Sequence, residues 1–326
     1  MKLIPALLTW LAIAHAGGVG SAPLVLEDKI TLGDVNGRID HLAIDLKRQR
    51  LYVAELGNDS VGVVDLVSHK LLLTLKGLKQ PQGIGYVPSS DTLYVANAGD
   101  GSVRIFKGAD LTPSGAIPLG HDADNIRVDD AAHHVYVGYG AGALAVIDTG
   151  TRRKIADIPL KDHPESFQLE PAGAHIFVNV PDAHEVAVLD RSSGRQITSW
   201  PMAGLRANFP LAWDDAHQRV IAVFRHPAKL GVFRPPDGQL ITATATCGDA
   251  DDVFLDARRA RIYVICGEGV IDVLAARGEG YVASGRIPTS SGARTGLFVA
   301  GMDRLFLAVR SSLLAPAAIW VFRPTD

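Results

Sequence analysis

Residues 81–106, PQGIGYVPSSDTLYVANAGDGSVRIF, decide the fold of this chain. An apolar run is followed by a turn of Pro, Ser and Asp, then by the apolar run 93–96, a Gly/Asp turn and a third run that ends at Phe106. Short turns of these residue types between apolar runs favour consecutive antiparallel strands. The stretch therefore predicts a small antiparallel sheet.

The same pattern recurs along the whole chain. The central residues of the second strand in each unit are Tyr52, Tyr94, Tyr136, Phe177, Ile221, Tyr263 and Phe306. They follow one another at intervals of 41 to 44 residues. A regular period of this length, with several short strands in each unit, is typical of β-propeller blades. The sequence predicts an all-β, seven-bladed β-propeller of four-stranded antiparallel blades.

The two ends of the chain are predicted to share one blade. In the first unit the strands are expected at about 40–45, 50–54, 60–65 and 70–75, whereas the last unit stops after the run 319–322 without a fourth strand. In residues 24–33, Ile30 and Leu32 alternate with polar positions before Gly33, and the segment resembles a fourth strand that precedes any first strand. We expect this N-terminal strand to close the last blade, because closure removes an exposed sheet edge.

The extreme N-terminus is predicted to be a signal peptide, residues 1–16. Lys2 precedes an apolar run, and Ala14-His15-Ala16 has the small-x-small form of a cleavage site, so cleavage after Ala16 is expected. The run is too short to span a bilayer. We expect a periplasmic or secreted protein with no transmembrane segment and one propeller domain at 22–326.

The charge balance narrows the class of partner. The 326 residues include 32 Lys and Arg and 35 Asp and Glu, which gives a net charge of −3 with both signs mixed. A cationic stripe is what neutralises phosphates, so no nucleic-acid partner is expected. We expect a monomer whose partner is a small ligand or another protein.

Part of the chain resembles a known family. The segment 93–97, LYVAN, followed by Gly101-Ser102-Val103 resembles the repeat of YVTN-type β-propellers, a family of exported bacterial-like proteins. The segment 51–54, LYVA, with 58–61, NDSV, is similar, and the resemblance extends over essentially the whole mature chain. It implies the propeller fold and leaves the function open, because such propellers include scaffolds, ligand binders and enzyme domains.

The candidate site lies at one mouth of the central channel. Two adjacent columns of residues stand where the chain approaches the first strand of each unit, and side chains from different blades converge there. The predicted ligand-binding residues are Asp40, His41, Gln82, Asp124, Asn125, Glu165, Asp251, Asp252 and Arg294. Phe209 is the aromatic residue expected on this face.

So many carboxylates require compensation by raised pKa values, by cationic side chains or by a bound cation. Oxygen-rich rings suit hard cations such as Ca²⁺, for which Asp124, Glu165 and Asp251 are the candidate ligands, although no cofactor is required. The alternative is that each acid accepts hydrogen bonds from loop amides at the blade junctions.

Cys247 and Cys266 are the only cysteines. In an exported protein an isolated pair is read as a disulfide, and an antiparallel hairpin would bring these two positions to the same face. The alternative is a pair of buried thiols.

Two functions compete. The first is an exported, non-catalytic binding or scaffold module that recognises a small ligand, a cation or a protein at the channel mouth; the absence of GxSxG, HExxH and Walker motifs favours it. The second is a metal-dependent, lactonase-like hydrolase or lyase, in which a divalent ion polarises a carbonyl and His41 moves protons.

Overall fold

A computed structural model describes residues 22–171, 173–202 and 204–326. The predicted signal peptide at 1–16 lies outside these residues. Within them the chain forms seven four-stranded sheets in which neighbouring strands are antiparallel. The predicted all-β, seven-bladed β-propeller is confirmed.

The blades follow one another in chain order. After β1 (Leu24–Thr31), blade 1 contains β2 (Leu42–Asp45), β3 (Arg50–Glu55), β4 (Ser60–Asp65) and β5 (Lys70–Lys76). Blade 2 contains β6 (Pro81–Val87), β7 (Thr92–Asn97), β8 (Ser102–Lys107) and β9 (Thr112–Pro118), and blade 3 contains β10 (Ala123–Asp129), β11 (His134–Tyr139), β12 (Ala143–Asp148) and β13 (Arg153–Pro159). Blade 4 contains β14 (Phe167–Leu169), β15 (His175–Val180), β16 (Glu185–Asp190) and β17 (Arg195–Pro201).

The later blades repeat this plan. Blade 5 contains β18 (Arg206–Asp214), β19 (Arg219–His226), β20 (Ala228–Arg234) and β21 (Gln239–Ala245), and blade 6 contains β22 (Ala250–Asp256), β23 (Arg261–Cys266), β24 (Val270–Arg277) and β25 (Gly280–Pro288). Blade 7 contains β26 (Gly296–Val299), β27 (Arg304–Val309), β28 (Ala318–Pro324) and β1. The short 3₁₀ helices are Leu56–Asn58, Pro88–Ser90 and Ala300–Met302. No helix in the described part of the chain is long and apolar enough to cross a membrane.

The N-terminal strand closes the ring, as predicted. In β1, Leu24 pairs with Pro324 and Thr31 pairs with Ala318, so β1 is the outermost strand of blade 7. At the inner side, the first strands of consecutive blades contact each other, and β26 contacts β2. The first strands therefore surround the channel, and every blade has two neighbours.

The hydrophobic core lies between the blades. The described residues form seven clusters of buried apolar side chains, and each cluster joins two adjacent blades, for example Tyr52 of blade 1 with Leu93 of blade 2. The repeat-centre residues named above are at most 3% exposed. Since strands in the middle of a blade are covered on both faces, their sequences are continuous apolar runs and not simple alternations.

The inner strands of blades 2 and 3 approach each other closely at two glycines. A Cβ atom added to Gly83 would lie 2.0 Å from the carbonyl oxygen of Asp124, and one added to Gly85 would lie 2.5 Å from a methyl carbon of Ile126. Glycine is required at both positions because any side chain would push the two inner strands apart.

Candidate functional site

The local backbone geometry before each inner strand determines which side chains point toward the channel. Two positions before the predicted column, five blades have a residue with positive φ; these residues are Gln80, Asp122, Ala207, Asp249 and Gly292. In four of these blades the strand pairing then shifts register within the first few residues, for example between Ala123 and Ile126. A bulge at a strand end redirects side chains, so the chain turns and presents the column toward the channel.

The resulting cavity at the channel mouth, here called the mouth cavity, has a volume of about 280 Å³. It is lined by polar and charged side chains with one aromatic ring. These residues are Arg38, Gln82, Asp122, Asp124, His163, Glu165, Phe209, Arg225, Asp251 and Arg294. Five of the predicted site residues are therefore brought together: Gln82, Asp124, Glu165, Asp251 and Arg294.

One side of the mouth cavity is a network of paired charges. Arg294 lies 3.0 Å from Asp251 through Nε and 3.1 Å from Asp249 through a terminal nitrogen. Arg225 also pairs with Asp251, and its guanidinium lies 3.7 Å from the centroid of the Phe209 ring. Blades 5, 6 and 7 thus form a wall of the cavity in which the arginine and aspartate charges are paired.

Arg38 and Asp40 form a separate pair on blade 1. A terminal nitrogen of Arg38 lies 2.8 Å from Oδ2 of Asp40. Asp40 is completely buried while the Arg38 side chain is 40% exposed, so the acid lies beneath the arginine. Burial raises the pKa of Asp40 to about 6, against the opposing effect of His41 and Arg38.

The other side of the mouth cavity carries three carboxyl groups, with the imidazole of His163 beside two of them. Blades 3 and 4 stand across the ring from blades 7 and 1, and they contribute Asp122, Asp124 and Glu165. Nε2 of His163 lies 3.9 Å from Oδ2 of Asp124, too far for a hydrogen bond, and Oδ1 of Asp124 is buried with no hydrogen-bond partner among the described residues.

The pKa values of two groups on this side of the cavity, Glu165 and His163, are raised. Burial, reinforced by Asp124 and Asp251, raises the pKa of Glu165 to about 8. Burial acts against protonation of His163, but its contacts with Asp124, the Gly140 carbonyl and Asp122 outweigh it and raise the pKa to about 9. Glu165 and His163 therefore hold their protons to a higher pH than they would in water, because the neighbouring carboxylates disfavour additional negative charge.

The remaining predicted residues lie elsewhere. Asn125 is buried, and its Oδ1 has no hydrogen-bond partner among the described residues. His41 and Asp252 line a second cavity further along the channel, where Nδ1 of His41 lies 3.8 Å from Oδ1 of Asp252. His41 also approaches Asp40 through Nε2, at 3.7 Å. His41 thus stands between the two cavities.

Two arginines of the mouth cavity are absent from the sequence-derived set. Arg38 stands two residues before the aligned column, and Arg225 is the next-to-last residue of the second strand of blade 5. Arg38 lies where the chain approaches the first strand of blade 1, as the predicted site residues do, so its position carried a usable signal. Arg225 lies in a second strand, outside the two predicted columns.

The structure places the two cysteines next to each other. The sulfur atoms of Cys247 and Cys266 are 1.99 Å apart, at bonding distance, with their Cα atoms 6.0 Å apart.

Across residues 22–171, 173–202 and 204–326, no three His, Cys, Asp or Glu side chains are grouped so that they could hold a metal ion. Ca²⁺ binding by Asp124, Glu165 and Asp251 stays a prediction.

Comparison with known proteins identifies the fold and nothing finer. No family model matches the sequence, and curated proteins give no match. A chain from the crystal structure of the mitotic checkpoint complex superposes with a TM-score of 0.80 at 11% identity, covering 100% of this chain and 99% of its own. A chain of hydrazine synthase from Kuenenia stuttgartiensis superposes with a TM-score of 0.68 at 16% identity, covering 91% and 96%. The protein is thus a seven-bladed β-propeller by both its own topology and its structural neighbours.

Proposed function

We propose that the protein is a non-catalytic binding module whose mouth cavity takes a small ligand with a positively charged group. The observation that carries this proposal is the acidic side of the cavity. Asp124 and Glu165 line the cavity, no described residue donates a hydrogen bond to Oδ1 of Asp124, and the pKa of Glu165 is raised by burial and by neighbouring acids. An ammonium group placed there would replace the proton on Glu165 and pair with both carboxylates.

The rest of the cavity limits the size and polarity of the ligand. A volume of 280 Å³ corresponds to about nine water molecules at ~30 Å³ each. Arg38 and Gln82 stand on other blades and can contact a second polar group of the ligand. The ligand is therefore a compact polar amine and not an extended chain.

Calorimetric titration of the full chain with 2-aminoethanol tests the proposal, and CaCl₂ is titrated separately. Asp124→Asn and Glu165→Gln should each weaken amine binding by at least about tenfold, the usual scale for one charged hydrogen bond. Asp182→Asn, an exposed acid on the same face outside the cavity, is the matched control and should change nothing. Absence of amine binding at millimolar concentration would overturn the proposal.

The Ca²⁺ titration addresses the competing hypothesis of a metal-dependent hydrolase or lyase. Stoichiometric Ca²⁺ binding that Asp124→Asn abolishes, without binding of 2-aminoethanol, would replace an amine site by a cation site and justify a screen of lactones and esters.

A protein partner is the second candidate, and one observation favours it. Leu313 and Leu314 are fully exposed at the tip of the loop that follows β27, which lies on the same face as the mouth cavity. Adjacent exposed leucines are typical of interaction surfaces. A photo-crosslinking residue at Leu313 should give one discrete adduct in the native cell, whereas the same residue at Val67, exposed on the opposite face, should give none.

We also propose that the protein is exported and is a YVTN-type propeller. The disulfide supports an oxidising compartment, and the LYVAN segment forms β7, the second strand of its blade. N-terminal sequencing of the protein recovered from the exported fraction should start after Ala16. A protein that still starts at Met1 would contradict export.

A further inference from the structure

A second cavity lies inside the channel, beyond the mouth. This inner channel cavity has a volume of about 340 Å³ and is lined by the first strands of six blades. Most of its wall is apolar, formed by residues such as Ile84, Ile126, Phe254 and Leu297. Apolar walls with a few convergent polar groups are characteristic of small-molecule sites.

Arg127 is the only arginine or lysine among the residues that line this cavity. It donates hydrogen bonds to the carbonyl oxygen of Ile126 at 2.8 Å and to the hydroxyl of Ser166 at 3.0 Å. Its guanidinium also lies 5.4 Å from the centroid of the Phe167 ring. A guanidinium carries five N–H donors, so several remain available to the cavity.

No ion pair compensates Arg127 among the described residues. Every other arginine deep in the channel region pairs with an acid: Arg225 with Asp251, and Arg294 with Asp249 and Asp251. Burial lowers the pKa of Arg127, and the more distant Asp252 and Asp124 offset this only in part. A partly buried cation without a counter-charge is costly unless something supplies one.

The other polar groups at this cavity do not provide the missing charge. Oδ2 of Asp252 accepts a hydrogen bond from the Gly296 amide at 2.8 Å, and burial raises the pKa of Asp252 to about 7. Gln168 donates to the carbonyl oxygen of Leu211, and the Tyr86 hydroxyl donates to Asp91. His41 also lines the cavity; burial acts against its protonation, but Asp40 and Asp252 outweigh burial and raise the pKa of His41. The cavity therefore presents Arg127, which has no ion pair among the described residues, together with the His41 ring to a largely apolar wall.

We propose that the inner channel cavity is a separate binding site for a small organic anion with an apolar body, such as an aromatic carboxylate. The carboxylate pairs with Arg127, and the apolar body packs against Ile84, Ile126 and Leu297. This site does not depend on the amine site at the mouth, since the two cavities present opposite chemistry to a ligand.

The test uses ¹⁹F NMR titration of the full chain with 4-(trifluoromethyl)benzoate and with its neutral analogue 4-(trifluoromethyl)benzamide. The benzoate should bind at least about tenfold more tightly than the benzamide. Arg127→Gln should remove that preference, and Arg127→Lys should keep part of it because the charge is retained. Equal affinity of the wild-type protein for the two probes would overturn the proposal.

Two further variants locate the binding. Leu297→Trp fills the inner channel cavity while leaving Arg127 in place, and it should weaken benzoate binding by at least about tenfold. Arg38→Gln removes an arginine of the mouth cavity and should leave benzoate binding unchanged. Loss of binding in Arg38→Gln but not in Leu297→Trp would place the anion at the mouth and refute the inner site.

Discussion

Arg259 of blade 6 donates hydrogen bonds from both terminal nitrogens to the carboxylate of Asp303 in blade 7, at 2.7 and 2.8 Å. The same guanidinium reaches Asp256 at 3.0 Å, and the Arg259 side chain is only 6% exposed. Arg48 of blade 1 joins Asp91 of blade 2 in the same way. Bidentate pairs of this kind fasten neighbouring blades at the turns opposite the mouth.

Replacing Arg259 by Gln should lower the free energy of unfolding by about 2–3 kcal/mol, because buried Asp256 loses its cation. Arg258→Gln is the matched control. Its side chain is 67% exposed and reaches Asp303 at 3.4 Å, so its loss should cost no more than about 0.5 kcal/mol. Denaturant unfolding measures both, and equal effects of the two variants would refute a special role for Arg259.

Stability should fall as pH rises from about 5 to about 8. The pKa of Asp252 is raised to about 7 and that of Glu165 to about 8, so the folded protein keeps protons that the unfolded chain releases near pH 4. The raised pKa of His163, about 9, acts in the same direction. A group that holds its proton more tightly when folded stabilises the fold at low pH and loses that contribution as pH rises. Thermal unfolding at pH 5 and pH 8 measures the difference.

Glu165→Gln should reduce that pH dependence. The amide is neutral at every pH, so at pH 8 the melting temperature should rise by about 3 °C or more, and the change between pH 5 and pH 8 should shrink. Asp182→Asn, the exposed acid on the same face, should leave the pH profile as it is. A melting temperature that is higher at pH 8 than at pH 5 in the wild-type protein would contradict this account.

The closing strand should be essential to the whole ring. Ile30 is 3% exposed and packs in the cluster between blades 7 and 1, whereas the neighbouring Thr31 is exposed. Ile30→Asp should therefore destabilise the protein by about 3 kcal/mol or more, and Thr31→Asp by much less. Deleting residues 22–34 should lower the melting temperature of the entire protein, and an unchanged value would show that the strand is dispensable.

The Cys247–Cys266 bond should contribute to stability through the 19-residue separation that it closes. Reduction should lower the free energy of unfolding by about 3 kcal/mol, the usual scale for a loop of this length. Thiol titration of the unreduced, denatured protein should find no free thiol. Two free thiols would rule out the bond in the purified protein.

The arrangement of strands in each blade could be predicted from sequence because every repeat carries its own pattern of apolar residues, and these residues are buried. Tyr52, Tyr94 and their counterparts mark the centre of a strand that is covered on both sides, whatever ligand the protein takes. The surplus strand at 24–33 and the incomplete last unit then fix how the ring closes, and the observed β1 pairs as expected.

The site was predictable only in outline. The column containing Asp124, Glu165 and Asp251 does reach the mouth cavity, since a repeat places equivalent residues at equivalent positions. Which charges meet across blades depends on register shifts and left-handed residues before the inner strands, and these are specific to each blade. For that reason spacing could not predict the pairing of Arg225 with Asp251, nor that Arg127 has no ion pair in the part of the chain that the structure describes.

The pairing of β1 with β28 also sets the order of events during synthesis. Leu24 leaves the ribosome long before Pro324, its partner, has been made. Blades 1 to 6 contain only consecutive strands and can assemble as the chain emerges, but blade 7 must wait for the last residues. Until then Ile30 and Leu32 can pack only against the part of their cluster that blade 1 supplies, and the flanks of blades 1 and 6 that blade 7 will cover stay exposed. Thus β1 is the first strand to be translated and the last to pair with its neighbour.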